Sequence, residues 1–268
     1  MDKVVRIPQF PLSHATHAPM KAWVEEMLQY VIIRPSRSPY NSPCMMVPKP
    51  RSLDWRMVID FRILNKLIPH DPYPLPDINR TLQGPGKNGN KLNLISSIDL
   101  LWGFYHIEIQ ECDKQKTAFT TPAPISRWEY NRMPMGTKTS PAAFQRLVDV
   151  VIMQNMGGNV FCYVDDVLCY AENEEEHLLA LTKLFAICRK FGMKININKS
   201  IFARTEVHHL GHIVTKTGIQ LDKNKLKRMK DFPTPKTKKA LVILRISQLL
   251  QKVCQGLCEV SQTSHKPT

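Results

Sequence analysis

No stretch of this 268-residue chain holds the ~18 consecutive apolar residues of a membrane span, and its N-terminus has no signal-peptide apolar region. An intracellular protein, cytoplasmic or nuclear and without a membrane partner, is expected. The seven cysteines include no Cys-x-x-Cys pair, and Cys254, Cys258 and His265 do not match a zinc-ligand pattern. Their number is odd and several lie in apolar runs, so they read as core thiols in a reducing compartment. The segment Gly84–Asn90 carries Gly-x-x-x-x-Gly but lacks the Gly-Lys-Ser/Thr ending of a phosphate loop. There is no internal repeat. Acidic residues are scarce toward the C-terminus: residues 219–268 hold only Asp222, Asp231 and Glu259 against eleven Lys or Arg. That segment carries +8 of the net charge of +14, and the charge selects a polyanion as partner.

What is present describes a globular chain, 43% hydrophobic and 22% charged, long enough for one large or two smaller domains. Residues 1–19 read as an extended lead-in. Met20, Trp23, Val24, Met27, Leu28 and Val31 keep helical spacing. Strands are expected at Cys44–Val47 and Trp55–Phe61, a short helix capped by Asp77, and a strand at Leu92–Leu100 ending near Asp99. His106–Gln110 and Lys116–Thr121 alternate as a further strand pair. Ser140-Pro141 opens a helix whose apolar face is Phe144, Leu147, Val148, Val151 and Ile152. Asn173 caps another, with Glu174-Glu175-Glu176 in its first turn, and Gly192 ends it. Strands follow at Met193–Ile197 and His208–Val214. This order indicates an α+β fold with an antiparallel sheet.

The run from Phe161 to Tyr170 is apolar except for Asp165-Asp166, which falls at the tip of an expected hairpin. Alone, an Asp-Asp pair is compatible with an ordinary exposed turn. Buried, it needs a cation, and no Lys or Arg lies between Asn159 and Ala171. A hard divalent cation would serve. Asp99 is a third carboxylate at a buried strand, and antiparallel pairing can bring it beside the 165–166 turn. Three such carboxylates suit two-metal phosphoryl or nucleotidyl transfer.

The ordered motifs resemble those of reverse transcriptases, most closely of gypsy-class LTR retrotransposons and more distantly of retroviruses. The resemblance runs from about Ile33 to about Pro235. It is carried by Arg34-Pro35-Ser36, the Ser38–Pro43 segment, Trp55–Asn65, Asp71–Pro76 and Asp99–Ile107. It continues through Lys116–Phe119, Met133-Pro134-Met135-Gly136, Ser140–Gln145, Tyr163-Val164-Asp165-Asp166 and Leu210–Ile213.

The resemblance implies a right-hand polymerase: fingers at 1–70 and 107–138, palm at 71–106 and 139–218, and a basic thumb remnant at 219–268. It implies an RNA-directed DNA polymerase acting on dNTPs and a primed RNA or DNA template. Asp99, Asp165 and Asp166 would hold two Mg²⁺, with Mn²⁺ as a substitute. Lys49 and Arg56 would hold the incoming triphosphate, Phe104 would exclude a ribose 2′-hydroxyl, and Met135 would sit beside the nucleotide. Leu210, Gly211 and His212 would grip the primer, and Lys199 would protonate the leaving group. The family usually has Gln or Phe at Met135. Leu249-Leu250, Val253 and Leu257 replace its thumb aromatics. Three acids after residue 218 are too few for a ribonuclease H centre, and there is no Asp-Thr/Ser-Gly protease triplet. Two alternatives stay open. One is a catalytically silent or domesticated nucleic-acid-binding remnant. The other is an RNA polymerase, which Phe104 opposes.

Overall fold

The computed structural model describes residues 4–49, 54–76, 93–122, 127–156, 158–216 and 218–221. The helix expected after Asp77 and the basic segment beyond Leu221 lie outside the described residues, as do Cys254 and Cys258. The chain falls into two compact units. One is drawn from Met1–Pro74 and Trp102–Leu147, the other from Leu75–Leu101 and Val148–Thr268.

The first unit opens with helix α1 (His17–Gln29), which buries Met20, Val24 and Met27 at the expected helical spacing. A five-stranded sheet follows, in the order β1-β6-β5-β2-β3. Its strands are β1 (Ile33–Pro35), β2 (Ser42–Pro48), β3 (Trp55–Ile59), β5 (Phe119–Thr120) and β6 (Arg127–Tyr130). Most pairings are antiparallel, but β2 runs parallel to β5 through Ser42↔Phe119 and Pro43↔Thr120. Phe61, Phe119 and Ile33 are among its fully buried side chains, packed with Trp128 and Tyr130. A short helix α2 (Leu64–Leu67) leaves β3 and buries Leu64.

One stretch departs from the sequence expectation. His106–Gln110 and Lys116–Thr121 are not a strand pair. Gly103–His106 is a 3-10 turn, α3 spans Glu111–Lys114, and a second 3-10 turn covers Gln115–Thr117. The His106–Gln110 stretch makes only an isolated antiparallel bridge, Glu108↔Arg132. Lys114 is buried and its ammonium is shared by Glu111 and Glu108, at 2.9 and 3.6 Å. The strand pair instead joins β5 to β6, through Phe119↔Trp128 and Thr120↔Arg127.

The second unit is built on a four-stranded antiparallel sheet, in the order β7-β8-β4-β9. Its strands are β4 (Leu94–Leu101), β7 (Val160–Tyr163), β8 (Asp166–Ala171) and β9 (Lys194–Arg204). Ile95, Leu168 and Tyr170 bury one face against Val207 and Val214. Those two residues come from a smaller sheet of β10 (Glu206–His209), β11 (His212–Thr215) and β12 (Gly218–Leu221). Helix α4 (Ser140–Val148) belongs to the first unit up to Leu147, and the chain continues in the second as a π-helical turn at Asp149–Met153. Helix α5 (Glu174–Lys190) starts where Asn173 accepts a hydrogen bond from the Glu176 N–H, and it ends at Phe191 with Gly192 at φ +68°.

Candidate active site on the four-stranded sheet

The carboxylates meet because of strand register. β7 and β8 form a tight hairpin in which Tyr163 pairs with Asp166, leaving only Val164 and Asp165 in the turn. Val164 takes φ +52°, a left-handed conformation that costs a β-branched residue energy. On its other edge β8 pairs with β4, and Asp166 lies directly opposite Asp99. Residues opposite each other in an antiparallel pair project to the same face, so two like charges are neighbours there. The Leu100 N–H donates to the Asp165 carbonyl at 2.9 Å, tying the turn to β4. Asp99 lies near the end of its strand, as the sequence suggested. β4 runs on to Leu101 because Leu100 and Leu101 still pair with Ile195 and Lys194 of β9.

Electrostatics confirm that this cluster is costly. Burial, then the charges of Asp166 and Asp99, push the Asp165 carboxyl up to about 6, with Lys199 opposing. Asp166 is raised by burial and by Asp99, again opposed by Lys199. One carboxylate oxygen of Asp165, Oδ1, is buried without a hydrogen-bond partner. Such an atom normally finds a donor or a cation.

Lys199 supplies positive charge that the hairpin itself lacks. Its Nζ is 3.7 Å from Asp99 Oδ2, although its side chain is 69% exposed. An irregularity in β9 delivers it. Asp99 pairs with Asn196 but Ser97 pairs with Ile201, so the partner strand carries extra residues between these positions. Ser200 fills the break in the ladder. Its hydroxyl accepts from the Asp99 N–H at 3.1 Å and donates to the Asn196 carbonyl at 2.7 Å. Nothing in the residue pattern singled out Ser200, because a bulge leaves no periodic signal.

Among the described residues, no three His, Cys, Asp or Glu side chains are gathered closely enough to hold a metal ion. The donor set nevertheless fits one. Paired carboxylates on one face and a buried oxygen without a partner are what a hard divalent cation would satisfy.

The remaining residues singled out by sequence take these places. In the second unit, Leu210 and Gly211 are the two-residue turn between β10 and β11, at φ +51° and +75°, and His209 pairs with His212. That is the geometry of a tight hairpin turn with both central residues left-handed, which glycine tolerates and leucine does not. Burial, then the neighbouring His212, lowers the His209 imidazole to about 4, and its Nδ1 lies 3.2 Å from the Ser97 hydroxyl.

In the first unit, Lys49 and Arg56 belong to the β2–β3 hairpin. Val47 pairs with Arg56, and the Lys49 N–H bonds the Asp54 carbonyl at 2.9 Å, extending the ladder. Two residues beyond Val47, Lys49 shares the Arg56 face. Both are exposed, and Lys49 Nζ is 3.6 Å from Asp54. Phe104 is half-buried in the 3-10 turn and packs edge-on against fully buried Phe144, with ring centroids 5.6 Å apart. Met135 is 46% exposed, next to Gly136 at φ +92°. Asn65 pins that turn from both sides. Its amide donates to the Gly136 carbonyl at 2.9 Å and accepts from the Lys138 N–H at 2.8 Å.

Comparison with known proteins agrees with this geometry. Residues 47–214 match the family model for reverse transcriptase (RNA-dependent DNA polymerase). The Pol polyprotein of the Drosophila melanogaster transposon opus is 37% identical over 89% of this chain, and that of the gypsy transposon 35% over 79%. The chain spans 24% and 20% of their respective lengths. Among solved structures, a foamy viral protease-reverse transcriptase bound to an RNA/DNA hybrid superimposes with a TM-score of 0.75 at 29% identity. That match covers 89% of this chain and 31% of the viral one. A second foamy viral structure, bound to double-stranded DNA, gives a TM-score of 0.80 at 28% identity, covering 90% and 41%. The described residues thus carry an α+β right-hand polymerase fold, and the chain belongs to the reverse transcriptase family.

Proposed function

We propose that this chain catalyses RNA- and DNA-templated DNA synthesis, with Asp99, Asp165 and Asp166 as its catalytic carboxylates. The observation that carries this reading is the register pairing of Asp99 with Asp166 beside the turn that presents Asp165. In the reaction the primer 3′-hydroxyl oxygen bonds to the α-phosphorus of a dNTP. The bond from that phosphorus to the β-phosphate bridging oxygen breaks, and pyrophosphate leaves with the electron pair. Divalent cations held by the three carboxylates would lower the pKa of the attacking hydroxyl and stabilise charge on the phosphate oxygens. The Mg²⁺ ion, with Mn²⁺ as a substitute, fits the all-oxygen donor set.

The other roles follow the family pattern. Lys49 and Arg56, on one face of their hairpin, would neutralise the triphosphate. Asn65 positions the Met135–Lys138 turn. Phe104 would fill the space beside the sugar C2′. Leu210-Gly211-His212 would meet the primer backbone, and Lys199, already at the carboxylates, would give its proton to the departing pyrophosphate. Residues 71–106 and 139–218, which bear the three carboxylates, are assigned to the palm, and residues 1–70 and 107–138 to the fingers. The nucleic-acid duplexes bound by the foamy viral relatives support a template–primer duplex as the partner.

Primer extension on an RNA template with purified protein and Mg²⁺ or Mn²⁺ tests the proposal. Extension by the unmodified protein, abolished in Asp165→Asn at unchanged fold, is expected. Template binding without extension under both metals would instead assign the chain to a silent nucleic-acid-binding remnant.

A further inference from the structure

A second feature lies in the first unit and involves none of the carboxylates. The N-terminal segment crosses beside the Ser36–Asn41 turn. The Ile7 N–H donates to the Asn41 carbonyl at 2.9 Å, and the Asn41 N–H to the Val5 carbonyl at 2.8 Å. Between this segment, the turn and strands β5 and β6 lies a cleft of about 690 Å³.

Three guanidinium groups line the cleft, from Arg6, Arg37 and Arg127, and among the described residues no carboxylate does. Two are held in place by neighbouring backbone carbonyls. Arg6 Nε donates to Pro39 at 2.9 Å, and an Arg127 terminal nitrogen donates to Tyr40 at 2.7 Å. Arg37 is exposed. None of the three is ion-paired among the described residues, in contrast to Arg34 and Arg62, which each hold a carboxylate. The neutral donors of the wall are already spent. The Thr120 hydroxyl donates to Asn41 Oδ1, the Ser38 hydroxyl to the Gln115 carbonyl, and the Gln9 amide to the Cys44 carbonyl. Arg127 Nε is buried and makes no hydrogen bond among the described residues. A buried donor on a permanent cation is costly to leave unmade. Three guanidinium groups without an ion pair among the described residues favour an anionic ligand. Guanidinium forks match phosphate oxygens in spacing and plane.

We propose that the Arg6–Arg37–Arg127 cleft is a phosphate-binding site, accepting either a phosphodiester of a single-stranded polynucleotide or the phosphate of a free nucleotide. The three guanidinium groups lining the cleft would share the phosphate oxygens. The site needs no polymerase chemistry, so it stands or falls separately from the function proposed above.

The experiment uses the full chain, labelled with ¹⁵N-arginine, without divalent metal. The Arg127 Nε–H resonance is followed during titration with inorganic phosphate, with a dT oligonucleotide lacking terminal phosphate, and with dTTP. A saturable shift is expected, and Arg37→Gln should weaken it roughly tenfold or more, as loss of a charge-assisted hydrogen bond predicts. Arg37 is an exposed surface residue, so this variant leaves folding intact. If the ligand is a strand, the oligonucleotide binds tighter than inorganic phosphate. Each arginine replaced then lowers the slope of log affinity against log salt by roughly 0.7. If it is a free nucleotide, dTTP shifts the resonance and the oligonucleotide does not. A resonance that none of the three probes moves, or that moves equally in wild type and Arg37→Gln, overturns the site.

Discussion

The cost of gathering like charges is borne by single residues, and it can be measured on them. Asp165 titrates at about 6 in the folded chain against an ordinary 3.8. Between those values the folded state keeps a proton that the unfolded chain has released, so stability falls as pH rises from about 4 to about 6. Water reaches this carboxylate in part, which reduces the penalty to about 1–2 kcal/mol at pH 7.5. In chelator, Asp165→Asn should therefore be more stable than wild type at pH 7.5 by that amount, and no different below pH 4. Added Mg²⁺ should stabilise wild type but not the variant. Urea denaturation that finds the variant less stable in chelator would sink the account. His209 runs the other way. Burial lowers its imidazole to about 4, so its contribution is complete above about 6.5 and is lost as pH falls toward 4. The loss amounts to about 3 kcal/mol. An imidazole NMR midpoint at or above 6.5 would contradict it. Phe104→Ala, which removes the ring beside Phe144, should raise ribonucleotide incorporation relative to deoxynucleotide in a competition assay. Selectivity that stays put would leave Phe104 with a packing role only.

At the scale of elements, legibility in the sequence followed the strength of the local signal. Helix α5 was fully readable because cap, acidic first turn and terminal glycine agree with one another. The β7–β8 hairpin was readable because its apolar run is broken only at the Asp pair. The pairing of His106–Gln110 with Lys116–Thr121 was misread: only Phe119–Thr120 of these is a strand, and its antiparallel partner is β6. The extra residues in β9 were invisible because they disturb a register that exists only once strands have paired, and with them went the role of Ser200 in the ladder. The β10–β11 turn was noticed for its glycine, but its strain is on the leucine. Leu210 holds φ +51° before a glycine in a turn that favours Asn-Gly. Leu210→Asn should stabilise the chain by about 0.5–1 kcal/mol in thermal or urea unfolding. A destabilised variant would mean that the leucine side chain has packing worth more than its strain.

For the whole molecule, the net charge of +14 makes nucleic-acid binding a matter of counterion release. Affinity for duplexes of unrelated sequence should fall together and steeply with salt, log affinity being linear in log salt. Binding that is insensitive to salt between 50 and 200 mM, a range over which phosphate contacts lose roughly 10³–10⁵ in affinity, would exclude this. The interleaving of the two units has a consequence for synthesis. The chain passes from Met1–Pro74 to Leu75–Leu101, back to Trp102–Leu147, and out again at Val148. Neither unit is a continuous piece, so neither can finish folding as the ribosome delivers it in order. β4, with Ile95 and Ile98, emerges long before its partner β8 begins at Asp166. At ~5–20 residues per second the intervening 64 residues take roughly 3–13 s. For those seconds an apolar strand with both edges unpaired waits in the nascent chain, where a holding chaperone would find its clearest target.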